Sequence, residues 1–414
     1  MTQPGIDKNH AKVPQACGRR LISGFSLVEL MVAMVIGMLG IVVMMQVFSV
    51  FESQRRTTSS GDDSISSGAI SLYGIQREIQ QSGWGISNVQ LIGCSVTGLL
   101  TGGANLPLVP LTINSPLISG QDPHTDTLLI VSGNGNATVE GNSIESVTLT
   151  PPASYAVNGA SDFSPGDLVV GVPQVRPMLC ALAAAKSNGA ISGPNVPFAS
   201  AFAGITNGDR LFNLGKKPTV RVYAIRSGNL TVCDYTAQNC GLAANNDDST
   251  IWMPIASNVV SMRAEYGRDT TIAIPLPSSG SAMSGVVDKW DQAARTPYSP
   301  YVAKNTAACG LLRVAAVRLA LVARSSQPER TLDWPLHANH VMTHLLVNPS
   351  LDPRIWMGSD AVAHGVDPAA AAAVVITLPD PNPAWPTWQD FRYKVFQTVI
   401  PLRNITSQGA VPEC

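Results

Sequence analysis

Residues 25–51 form an uninterrupted apolar run of 27 residues in which Glu29 is the only charge. About 20 apolar residues suffice for a helix to cross the hydrocarbon core of a lipid bilayer, so the run can span one with some tilt. A secretory signal has an apolar stretch of roughly 7–15 residues followed by a small-residue cleavage site, and this run is too long for that; it is expected to stay attached as an anchor. Lys8, Lys12, Arg19 and Arg20 precede it against Asp7 alone, and Arg55 and Arg56 follow it within a long, largely uncharged segment. Basic residues in short flanks stay cytoplasmic, which puts the N-terminus inside and everything after about residue 52 outside.

The rest of the chain is long enough for a large β-rich unit. Its 414 residues exceed an average single domain, and only 13% of them are charged, about half the usual share. Gly 35 and Pro 30 point to short strands joined by many turns. The net charge is −1, and no Lys/Arg-dense run lies beyond the segment before the apolar run, so the electrostatic footprint of a nucleic-acid binder is missing. Cys17 falls on the cytoplasmic side, leaving Cys94, Cys180, Cys233, Cys240, Cys309 and Cys414 outside. An even external set fits an oxidising compartment such as a periplasm. Cys233 and Cys240, in "CDYTAQNC", are candidates for a disulfide closing a short loop, and the other four then admit three pairings. No C-x2-C pair suggests zinc.

No proline interrupts residues 25–82, and Ile70, Leu72, Tyr73, Ile75 and Ile79 recur at amphipathic-helix spacing before Gly83, a fitting C-cap. Residues 57–68, "TTSSGDDSISSG", are poor helix formers, so the long helix predicted here is either continuous or broken near Gly61. After residue 86 short β-like stretches appear at 126–133, 167–172, 218–225 and 258–267, the third with the alternation of a half-buried strand. Both strand and helix periods fit 311–324. Residues 187–200 and 274–285 read as loops, and 367–375, "DPAAAAAVV", as a helical turn or an alanine-rich insert. The fold class is α+β: 1–24 a leader, 25–51 a transmembrane helix, 52–85 its extension, and 86–414 a β-rich globular domain.

Chemistry-bearing motifs are sparse. His337, His340 and His344 share one face at helical spacing, but no H-E-x-x-H arrangement supplies a base, so a solvated face is the better reading. Asp122, His124 and Asp126, and the run 245–249, lack the spacing of an EF-hand loop and read as turn chemistry. Nucleophile-elbow, P-loop and dinucleotide-binding motifs do not occur, so no catalytic residues, metal or cofactor are expected, and no enzyme.

The junction at the start of the apolar run is more informative. A basic leader, Gly24, then "FSLVEL" resembles the type IV prepilin family, whose class III signal is matched throughout by "GFSLVEL". The resemblance implies cleavage by a prepilin peptidase between Gly24 and Phe25, and N-methylation of the Phe25 amine so liberated. A carboxylate in hydrocarbon costs a few kcal/mol, which makes Glu29 a functional candidate whose partner must be named. The resemblance implies the Phe25 amine of a neighbouring subunit; a Phe25–Glu29 contact within one chain is a competing reading. Glu29 also sits in the first helical turn, where the macrodipole favours an acid.

Three further stretches resemble the PilW family of minor pilins: "LYGIQREIQQSGW" (72–84), "LLRVAAVRLALVAR" (311–324) and "FRYKVFQTVIPLRN" (391–404). That family often carries Gly-Cys soon after the helix, whereas Cys94 comes later here. The resemblance implies a pilin-like globular domain, enlarged in this chain, on a protein held in the inner membrane by a single pass, and then in the fibre or at its tip. It implies a role in initiating type IV pilus assembly or at the tip, in motility, adhesion or DNA uptake. The partners would be other minor and major pilins and the inner-membrane assembly platform. A J-type pseudopilin of type II secretion is the alternative, and a membrane-anchored periplasmic enzyme using His337, His340 and His344 is a third class.

Overall fold

The computed structural model describes residues 26–135, 138–175, 180–269, 285–292, 310–327, 391 and 393–407, without the side chains of 53–54 and 56–65. Helix α1 runs from Leu27 to Gln81 without a break at Gly61. Contacts divide the chain into two units, Met1–Arg56 and Thr57–Cys414.

In the second unit the strands are β1 (Ser95–Thr97), β2 (Leu106–Pro107), β3 (Leu111–Ile113), β4 (Leu128–Ser132), β5 (Asn142–Thr148), β6 (Ala153–Val157), β7 (Leu168–Val172), β8 (Ala181–Lys186) and β9 (Asn195–Phe198). They continue with β10 (Arg210–Gly215), β11 (Thr219–Arg226), β12 (Asn229–Asp234), β13 (Met253–Ser257), β14 (Val259–Arg268), β15 (Lys289–Asp291), β16 (Val314–Arg324) and β17 (Tyr393–Pro401). Among the described residues they form three sheets, in the orders β2-β1-β8-β7-β10-β5-β6-β9, β13-β12-β11-β4-β3 and β15-β14-β16-β17.

Three cores hold the sheets together. The first joins Ile75 and Ile79 of α1 to Leu128 and Ile225 of the five-stranded sheet and to Leu319 and Leu321 of the four-stranded one. On the opposite face of the five-stranded sheet, Leu129, Val131, Val220 and Val222 meet Val170 and Phe212 of the eight-stranded sheet in the second. The third lies beyond, where Val169 and Leu211 point away from their neighbours Val170 and Phe212 to pack with Tyr155, Phe198 and Phe202. Side chains alternate across a strand, so one β7 sequence serves two cores. Tyr155, Phe198 and Phe202 contact one another at centroid separations of 4.9–5.7 Å.

Several expectations change on contact with this packing. Of the five apolar residues expected on one helix face, Ile75 and Ile79 are buried and Leu72 packs against the first core, while Ile70 and Tyr73 are 69% and 67% exposed. The helix instead approaches the sheets along Gly68, Ser71, Ile75, Ile79 and Ser82, a stripe in which small residues allow close contact; Gly68 lies against the Phe396 ring. Glu78 pairs with Arg221 of β11. Burial, with Glu78 next, pushes the Tyr223 hydroxyl well above the ordinary phenol range.

Residues 187–200, read as a loop, contain β9, which pairs with β6 and buries Val196 and Phe198. Pro197 disguised it; proline lacks the ladder N–H and is accepted here because β9 is an edge strand. The ambiguous 311–324 segment is strand β16 from Val314 onward, with residues 310–312 helical. Almost every residue of β16 is buried, so neither period stands out. Residues 274–284, 337–344 and 367–375 lie outside the described residues.

Candidate assembly site

In the first unit the helical segment Leu27–Glu52 is 26 residues long and apolar enough to cross a membrane, and among the described residues none of its most apolar stretch is buried. Side chains from Leu27, 75% exposed, to Phe51, 65% exposed, face outward all round the cylinder. A helix apolar on every side and uncovered is stable only in lipid or among other helices. Glu29 lies in its first turn, and the Leu30 amide donates to the Ser26 carbonyl at 3.1 Å. Ser26 and Glu29 therefore stand at the N-cap and N3 spacing of a capping box, a signal already present in "SLVE" that the apolar run overshadowed. Gly24 and Phe25 lie outside the described residues.

In the second unit the three stretches that carried the PilW resemblance converge at the end of α1. Strand β16 lies between β14 and β17, with Arg318 opposite Val399. Past β17, the side-chain amide of Asn404 donates to the carbonyls of Gln81 at 3.1 Å and Ser82 at 2.8 Å. The Ser132 hydroxyl also donates to the Gln81 carbonyl, at 3.0 Å. A helix leaves its last carbonyls without intrahelical donors, and β4 and the segment after β17 supply them here at Gln81 and Ser82. Gly83, at φ 82°, takes the left-handed conformation that the C-cap expectation required. Trp84 then donates its indole N–H to Gly135, and its carbonyl accepts from the Gly133 amide.

At the centre of the four-stranded sheet Glu265 and Arg318 are cross-strand neighbours joined by an ion pair, with the Arg318 Nε donating to Glu265 at 3.0 Å. Arg318 also lies 5.0 Å from the Trp290 ring centroid. Asp126 is not a surface turn residue: it is 1% exposed, and it accepts from Asn114, the Ala264 amide and Gln292 at 2.7–2.9 Å, with Arg263 at 3.3 Å. Burial raises its carboxyl above the usual carboxylate range, and Arg263 and these hydrogen bonds partly offset that. Asp122 accepts from the Ser227 and Gly228 amides, both at 2.8 Å, and so grips the β11–β12 turn. Asp248 caps Thr250. Among the described residues no group of three or more His, Cys, Asp or Glu could hold a metal. The three histidines His337, His340 and His344 lie outside them.

Cys233 and Cys240 are disulfide-bonded, with Cα atoms 6.1 Å apart. Cys94, whose late position departed from the family pattern, is bonded to Cys180 across a separation of 86 residues, with Cα atoms 4.7 Å apart. Both bridges lie in the second core. Cys309 and Cys414 are outside the described residues.

No curated protein and no solved structure matches the chain. Two family models do: the prokaryotic N-terminal methylation motif over residues 19–45, and the type IV pilus-assembly protein W family over residues 222–404. The second match begins within β11 and takes in the whole four-stranded sheet, leaving the eight-stranded sheet before it. That family is one of structural pilins that serve pilus assembly, and the apolar helix with its motif fits a membrane-anchored member. The two matches together are consistent with a PilW-like type IV pilin.

Proposed function

We propose that this chain is a minor pilin, cut by prepilin peptidase between Gly24 and Phe25, methylated on the Phe25 amine, and incorporated with other pilins at the initiation of a type IV pilus or at its tip. Before assembly it waits in the inner membrane, N-terminus cytoplasmic and residues beyond about 52 in the periplasm. The observation that carries this reading is the uncovered apolar helix Leu27–Glu52 with a single carboxylate in its first turn, inside the methylation-motif match. Transfer from lipid to a bundle of like helices exchanges one apolar environment for another, so close packing and polar contacts decide the association. Glu29 supplies the polar contact: paired with the Phe25 ammonium of a neighbouring subunit, it fixes axial register, because opposite charges in a medium of low dielectric are tolerated only when paired. An assembly platform and its ATPase supply the work. The two disulfides support an oxidising compartment for the globular part.

The match over 222–404 favours the pilus over a J-type pseudopilin. Mass spectrometry of the protein from membranes is the test. A chain that starts at Phe25 with a methylated amine is expected, and Gly24→Ala should accumulate as a precursor heavier by the leader. A native protein that still bears residues 1–24 removes the ammonium, and the proposal with it.

A further inference from the structure

We infer that the cleft between the β11–β12 hairpin and the 245–252 loop binds a neutral sugar residue. The cleft holds about 170 Å³, room for roughly five or six waters, and is lined by Arg226, Asn229, Asn246, Asp247, Ser249 and Trp252 among others. Its floor is built from a guanidinium stacked on an indole, with Arg226 3.8 Å from the Trp252 ring centroid. Arg226 is 6% and Trp252 2% exposed. Three backbone carbonyls, those of Ser119, Gly120 and Asn246, take the two terminal nitrogens of Arg226. Among the described residues its Nε, the Trp252 Nε1 and the Asn246 Oδ1, all buried, have no hydrogen-bond partner.

Two donors and one acceptor, buried and unpaired in the walls of one cleft, define what a ligand must offer. A buried polar group without a partner retains the cost of its lost hydration, which a partner brought in from outside recovers. A simple anion suits the two donors but meets Asp247 and Asp248 at the rim. A cation suits those acids but meets Arg226. An apolar group leaves all three atoms unpaired. Hydroxyl groups on a ring both donate and accept, so a single neutral polyol serves the N–H groups and the Asn246 carbonyl together. On this inference the three side chains turn their unpaired atoms toward the bound ring. This inference is independent of the assembly role and concerns what the external domain recognises.

The test uses the full-length protein, labelled with 5-fluorotryptophan at its 7 Trp positions and kept in a detergent without a sugar headgroup. Glucose, galactose and N-acetylglucosamine are titrated into the tens-of-millimolar range, where weak single-sugar binding saturates. One fluorine resonance, identified by its loss in Trp252→Phe, is expected to shift saturably with at least one sugar. Ser249→Tyr, which puts a ring at the exposed rim, should weaken that response at least tenfold. Silence with all three sugars overturns the proposal. So does a shift that Ser249→Tyr leaves intact, or one produced by inorganic sulfate in place of sugar.

Discussion

Asn404 closes the end of α1: its amide donates to the Ser82 carbonyl at 2.8 Å across 322 residues of sequence, and to Gln81 as well. The helix that enters the globular unit is thus tied to a segment 322 residues further along the sequence. Asn404→Ala removes both donors from carbonyls that, among the described residues, Ser132 otherwise serves only at Gln81. A loss of about 1–2 kcal/mol in denaturant unfolding of the second unit is expected. Proteolysis near residue 83 should speed up accordingly, and an unchanged midpoint would reduce the contact to decoration.

Glu265 is fully buried, and the Arg318 guanidinium neutralises it across β14 and β16. Arg318→Met removes the guanidinium that faces a buried carboxylate, a change that typically costs ~3–5 kcal/mol. Glu265→Gln with Arg318→Met removes both charges and should recover most of that. Thermal unfolding of the single and double variants reads the loss and its recovery.

Asp126 gives a pH dependence of its own. Its folded carboxyl is raised above the ordinary carboxylate range, so between the unfolded and the folded value the folded state holds a proton that the unfolded state has released. Stability from this group is greatest below the unfolded value and falls as pH climbs through the raised folded one. Asp126→Asn should flatten that limb. Near neutral pH the same variant should be about 1–3 kcal/mol less stable, since Asn114, Gln292 and the Ala264 amide lose shared acceptors and Arg263 its counter-ion.

These polar centres show where sequence reading stopped. The anchor, the helix continuing to Gly83, and strands β4, β7, β11 and β14 were legible because an apolar run, a glycine stop and period-two alternation are local signals. The partnership of Asp126 with Arg263, 137 positions on, is not local, and "DPHTD" looks like any polar turn. The eight-stranded sheet was illegible for a related reason: several of its strands are short, one carries Pro197, and the third core exists only once Val169, Tyr155 and Phe198 meet. Glu29 was legible as an oddity in an apolar run, and its spacing from Ser26 was overlooked because the charge drew attention to a partner outside the chain.

The two disulfides should contribute unequally. In the chain-entropy account a bridge stabilises by restricting the unfolded chain, and the effect grows with loop length. Cys94–Cys180 spans 86 residues and Cys233–Cys240 only 7, which corresponds to ~4–5 against ~2 kcal/mol. Paired Cys→Ala variants should therefore differ by about 2 kcal/mol in unfolding free energy, with the Cys94–Cys180 pair the more damaging. Equal losses would mean that the 7-residue loop matters through the packing of the second core and not through chain entropy.

Two roles are open to Glu29, and Glu29→Ala removes both at once. As the N3 residue after Ser26 it can serve its own helix terminus, and as an anion it can hold a neighbouring subunit's ammonium. Glutamine keeps the first, since either Glu or Gln completes a capping box, and loses the second. Glu29→Gln should insert in the membrane, be processed at Gly24 and fold with a normal helix, yet fail to enter fibres as completely as Glu29→Ala does. The readout is the fraction of the protein in sheared pili against membranes, with the N-terminus of each pool sequenced. Near-normal incorporation of the glutamine variant beside a defective alanine variant would make Glu29 a helix cap and leave register to be set by packing of the apolar faces.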